Sequence, residues 1–150
     1  MLFTRSSNST PEITDASIDL IVTSPPFLDT VDYAQDNWMR AWFCGIDLDA
    51  IPIWHLRNLA DWTHAMTGVF AELHRVLRPG GCVAFEVGEV RNGKIKLEKN
   101  TIEAGCVAGF EPVLVLINCQ EFTKTANCWG ISNNAKGTNT NRVVVFRRGS

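Results

Sequence analysis

The sequence has no Cys-x-x-Cys pair, and no two of its three histidines stand at metal-ligand spacing. Cys44, Cys82, Cys106, Cys119 and Cys128 are scattered, and His55, His64 and His74 fall nine and ten residues apart. Neither a thiolate zinc site nor the i, i+4 histidine pair of a helical site can be built from that pattern, which argues against any metal. An odd, dispersed cysteine count with no signal-peptide pattern predicts reduced thiols and a cytoplasmic protein. No apolar run approaches the ~20 residues that a membrane span needs. Internal repeats and low-complexity tracts are also missing, so solenoid and linker readings fall away.

What is present suits one globular unit. At 150 residues and 45% hydrophobic, the chain can bury a single core, and it reads as one domain over residues 1–150. The net charge of -2 hides an asymmetry. Residues 120–150 hold Lys124, Lys136, Arg142, Arg147 and Arg148 against Glu121, a local charge of +4, leaving -6 on the first 119 residues. Two readings of this stay open: a segment facing a polyanion, or an ordinary solvated tail.

Patterning predicts an α/β fold. Ile18 to Val22, "IDLIV", is a short β-branched run of the kind buried on both sheet faces. Asn37 to Cys44 reads as a short helix with Asn37 as its cap. Leu56, Leu59, Met66, Val69, Phe70, Leu73, Val76 and Leu77 recur at helical spacing, and Pro79-Gly80-Gly81 stops that helix. Cys82 to Val87, Pro112 to Ile117 and Val143 to Phe146 read as further strands, and Ile95 to Ala108 as a weaker amphipathic helix. Strands alternating with helices predict parallel strands joined by crossovers. No helix separates the last two strands, so the final strand is expected to return antiparallel.

The first strand runs into Ser24-Pro25-Pro26-Phe27. Two prolines end a ladder and hold their carbonyls rigidly, because the rings fix φ and carry no N–H. A hydroxyl and a rigid carbonyl are acceptors suited to an NH₂ group, and Phe27 offers a flat face for a ring. Taken alone, the tetrapeptide reads more readily as a strand-ending turn with Phe27 packed in the core. The surroundings add a second motif, "ELHRVLRPGGCVAFEVGE", from Glu72 to Glu89.

Together, "DLIVTSPPF" and that second stretch resemble the DNA amino-methyltransferases, which methylate N4 of cytosine or N6 of adenine from S-adenosylmethionine. The resemblance covers about residues 18–90. It implies part of a Rossmann-like class I methyltransferase sheet, with Ser24 and the Pro25 carbonyl accepting hydrogen bonds from the target amine. Pro26 completes the rigid loop, and Phe27 stacks on a base extruded from its helix. Serine at position 24 points to cytosine N4 rather than adenine N6. Tyr33 would line the substrate pocket, and Asp32 either joins it or caps the next helix. Glu86 and Glu89, at the end of the second matched strand, are the weak candidates for cofactor contacts; a structural role is open for each.

The chain departs from the family in one respect. The glycine-rich cofactor loop that follows a strand in these enzymes is not among the 150 residues. The sequence is therefore expected to be a catalytic half-domain, a subunit whose partner chain supplies the cofactor strands, or a degenerate remnant. An incomplete sheet would leave the first strand as an open edge, which favours pairing with another chain. The long polar stretch 118–142 is a candidate DNA-contacting segment. Lys124, Asn127, Trp129, Lys136, Asn139 and Arg142 offer phosphate, base-edge and stacking contacts there; a long hairpin loop without function is the bland alternative.

The leading expectation is the catalytic portion of a DNA methyltransferase, such as that of a bacterial or phage restriction–modification system. An RNA or small-molecule methyltransferase is the rival enzyme. A non-catalytic DNA-binding or assembly module is the rival from another class.

Overall fold

A computed structural model of the chain describes residues 2–26, 28, 32–90, 95–119 and 140–150, with the backbone alone at 89, 119 and 140. Among these residues, five strands and three α-helices follow one another as β1 (Ile18–Thr23), α1 (Tyr33–Phe43), α2 (Leu59–Val76), β2 (Leu77–Val90), β3 (Ile95–Lys96), α3 (Leu97–Val107), β4 (Phe110–Cys119) and β5 (Thr140–Arg148). A short 3₁₀ turn at Leu48–Ala50 precedes α2. The main sheet has the order β1-β2-β5-β4, and the two-residue β3 pairs with the end of β2. β1 and β2 are parallel, and β5 lies antiparallel between β2 and β4. β4 therefore runs in the same direction as β1 and β2, with the returning strand inserted beside it.

Several element boundaries differ from the sequence reading: β2 starts at Leu77, which was expected on the helix, β3 takes Ile95 and Lys96 from the expected start of α3, and β4 and β5 are longer than read. α1 starts at Tyr33, because the Asp32 carboxylate accepts from the Gln35 N–H at 3.0 Å and caps the first turn. Asn37 lies inside the helix and donates to the Tyr33 carbonyl. α2 starts at Leu59 rather than near Leu56, since Asn58 accepts from the Asp61 N–H at 2.8 Å.

The Pro-Gly-Gly turn also has a specific place. Ile18 pairs with Leu77 and Leu20 with Cys82, so Arg78, Pro79, Gly80 and Gly81 bulge opposite Asp19 alone. Gly80 has φ +78°, and a Cβ on Gly81 would stand 3.0 Å from the Asp19 carbonyl oxygen and 2.9 Å from that of Arg78. Arg78 closes the bulge with an ion pair to Asp19 at 2.8 Å.

One face of the sheet carries the core. Val83, Phe85, Val87, Val144 and Phe146 point to that face and pack against Trp62, Met66 and Phe70 of α2 and Leu97 and Ala104 of α3. Phe70 meets Phe85, Phe110 and Phe146 with ring centroids 4.6, 5.9 and 5.1 Å away. Gly105 on α3 lets Phe146 approach; an added Cβ would stand 2.5 Å from that ring.

The opposite face is different. The register lines up Val22, Ala84, Val145 and Leu114 in one row, and Glu86, Val143 and Leu116 in another. Val22 is 75% exposed and Leu116 57% exposed. Parallel sheets of this class are normally covered by helices on both faces; among the described residues, this apolar face remains open to solvent.

Residues before β1 wrap against α2. Glu72 accepts from the Thr10 N–H at 2.6 Å and from Arg75 at 2.7 and 2.9 Å, and Arg75 also donates to the Thr10 and Ile13 carbonyls. The Arg75 hydrogen bonds, with those from Thr10, hold the Glu72 carboxyl down at about 2, against the opposing effect of burial. A depressed carboxylate contributes stability above its unfolded value near 4.5 and loses it as pH falls towards the folded value. Glu72→Gln is expected to cost roughly 2–3 kcal/mol at pH 7. Denaturant midpoints measured from pH 7 to pH 2 should show the gap between the two proteins closing below about pH 4.5.

Candidate functional site

The loop after β1 occupies the place where open α/β sheets bind ligands, beyond the carboxyl end of a strand. Ser24, Pro25 and Pro26 line a cleft of about 530 Å³ between the β1 edge and α2. Its floor is apolar, formed by Met66, Val69 and Leu73 of α2 and Phe85 of β2. Pro52 and Trp54, from the segment before α2, form a further wall, and Ser6 and Ser7 reach it from the chain's first residues. Ser24 is exposed in this cleft and Pro25 is half-buried.

The loop is anchored at two points. The Trp62 indole N–H donates to the Pro26 carbonyl at 3.1 Å, and Leu28 is buried in the core. Trp62 itself is 1% exposed. A buried indole needs a partner for its N–H, and here the partner is the backbone of the double proline. The stripe of α2 carries Trp62 three residues after Leu59 and four before Met66, so its burial was readable from spacing; its bond to Pro26, 36 residues away, was not.

Phe27 lies outside the described residues, as do Lys124, Asn127, Trp129, Lys136 and Asn139. Tyr33 opens α1 and lines a second cavity of about 130 Å³ with Asp32, Ile53, Trp54 and His55. Trp54 borders both cavities and so links Tyr33 to the proline cleft.

Arg142, grouped by sequence with phosphate-contacting residues, is placed elsewhere. Its side chain is 6% exposed, and its Nε stands 3.1 Å from the Glu98 carboxylate on α3. Strand alternation explains this: Arg142 is level with Val87, on the face that α3 covers. Its charge is held inside the fold by Glu98 and is not offered to the surface.

Glu86 is on the opposite, open face, where Asn141 donates to its carboxylate. The Glu89 side chain lies outside the described residues. None of the described residues lining the cleft is charged, so none of them offers a carboxylate to a ribose hydroxyl or a sulfonium.

Chemically, the cleft can hold a flat, largely apolar ring and present a hydroxyl and a fixed carbonyl at one edge. Those acceptors suit a neutral amine donor. No helix among the described residues is long and apolar enough to cross a membrane.

No protein-family model matches the chain, and no curated protein matches it in sequence. Solved structures do match in fold. A candidate DNA modification methylase from Thermus thermophilus, solved with S-adenosyl-L-methionine, superimposes with a TM-score of 0.54 at 20% identity, covering 91% of this chain and 48% of that protein. A SAM-dependent methyltransferase from Methanosarcina mazei gives 0.55 at 13% identity, covering 97% and 65%. The [4+2]-cyclase SpnF gives 0.52 at 13% identity, covering 97% and 55%. The chain spans about half the length of the Thermus protein. At these identities the likeness is one of fold, and it extends to a cyclase as well as to methylases.

Proposed function

We propose that this chain, which has the Rossmann-like class I fold of S-adenosylmethionine-dependent methyltransferases, carries the amine-holding part of a DNA methyltransferase, with cytosine N4 as the favoured target. The observation behind this is the Ser24-Pro25-Pro26 loop, set at the carboxyl end of β1 over an apolar cleft. The Ser24 hydroxyl and the Pro25 carbonyl accept from the exocyclic amine, and Phe27 stacks on the base. Holding the amine in this way directs its nitrogen lone pair out of the ring plane. Positioning and electrostatics then provide the catalysis, and no cysteine or metal is required. S-adenosylmethionine, when bound, supplies the electrophilic methyl group.

The cofactor strands come from elsewhere in a longer chain or from a partner. Among the described residues β1 forms one edge of the main sheet, and the apolar row through Val22, Ala84, Val145 and Leu114 lies on the face away from the core. An edge and an uncovered face together suit a unit that adds a strand and lays helices over the sheet. The isolated chain is accordingly expected to bind S-adenosylmethionine weakly or not at all. Low-micromolar affinity in calorimetric titration would contradict that.

DNA is the preferred acceptor, and Lys124, Lys136 and Trp129 in the 118–142 stretch are proposed to contact it. The reading is tested by transfer of a labelled methyl group from S-adenosylmethionine to DNA, RNA and small amines, using the chain joined to its cofactor-binding half. Transfer to DNA, lost in Ser24→Ala, supports it. Transfer to RNA or to a small amine alone would move the chain to another substrate class.

A further inference from the structure

We infer that Trp62 is the positioning residue of the Ser24–Pro26 loop: its indole N–H turns the Pro26 carbonyl towards α2 and so fixes which acceptors face the target amine. This rests on the amine-binding reading above. The double proline presents two rigid carbonyls in succession, and a flat amine could in principle be met by either. The indole N–H of Trp62 donates to the Pro26 carbonyl at 3.1 Å from a ring that is 1% exposed. A buried donor of this kind keeps its partner, because leaving an indole N–H unpaired is costly. The Pro26 carbonyl is thereby turned towards α2 with one lone pair engaged, leaving the Ser24 hydroxyl and the Pro25 carbonyl to meet the amine.

The geometry around Trp62 makes this a fixed distance and not a passing contact. Trp62 lies on the first turn of α2, and Met66, one turn on, forms the cleft floor. Pro26, Trp54, Leu56, Trp62 and Met66 also enclose a small void, too tight to hold a ligand. With Leu28 buried on the far side of the loop, the double proline is tied to α2 and to the core. Placement within a fraction of an ångström matters for an amine that must be held in line for attack.

The test changes one atom. Benzothienylalanine in place of Trp62 exchanges the N–H for sulfur and keeps the ring, and Trp62→Phe is a second variant should the first express poorly. The full chain is titrated by NMR with deoxycytidine and with deoxyuridine, which lacks the amine. Deoxyadenosine and deoxyinosine form a parallel pair. The wild-type protein should prefer the amine-bearing member of at least one pair. The variants should lose that preference by about tenfold, the size of one hydrogen bond, while their thermal unfolding stays cooperative. A merely structural role would weaken both members of a pair equally. Variants that retain the preference overturn the inference and leave the amine-binding reading standing. A wild-type protein that prefers neither amine overturns the reading itself, and the inference with it.

Discussion

Ser24→Ala should lower kcat for methyl transfer by about 10²-fold or more, as for removal of one preorganised polar group from an active site. The domain should remain folded, since Ser24 is exposed in the cleft and contributes nothing to the core. Phe27→Ala should remove stacking worth ~1–3 kcal/mol and act mainly on KM for the base-containing substrate. On the proposed reading, steady-state kinetics on the chain joined to a cofactor-binding half separates the two effects. Near wild-type rates in both variants would remove the catalytic role from this loop.

Phe70→Ala is expected to have the largest effect on stability. Phe70 is fully buried and is the meeting point of Phe85, Phe110 and Phe146, so it joins α2 to three strands. Truncating a buried phenylalanine costs about 3–5 kcal/mol through lost transfer energy and the residual cavity. A small domain has little stability to spare, so the variant should be largely unfolded at 25 °C. Chemical denaturation followed by circular dichroism measures this. A loss below about 1 kcal/mol would mean that the ring cluster is not the centre of the core.

The contrast between these positions shows what the sequence made legible. β1 and α2 could be read because their apolar pattern is strong and Pro or Gly marks where they end, and β4 because an apolar run follows Gly109. The antiparallel return of β5 followed from the missing helix before it. Its insertion between β2 and β4 did not, because strand order depends on pairing between distant residues. Asp32 and Asn58 set their helix starts through single side-chain bonds, which is why those boundaries shifted by a few residues.

Ser24, Pro25 and Pro26 were legible as a motif, and they line a cleft beyond the end of β1. Trp62, Trp54 and Ser6 were not, since they arrive from α2, from the segment before it and from the chain's first residues. Arg142 lies away from the surface for a physical reason. Its charge suggested solvent or phosphate, whereas strand alternation turns it onto the covered face beside Glu98. Charge in a sequence says what a residue can pair with; register decides which partner it meets.

The measurement that bears most directly on the central claim is mass spectrometry of nucleosides from the DNA of a methylation-free host expressing this chain within its full coding frame. The account predicts N4-methylcytosine with the wild-type protein and none with Ser24→Ala. Methylated DNA that persists in Ser24→Ala, or unmodified DNA from a host in which RNA or a small amine is methylated instead, would contradict it.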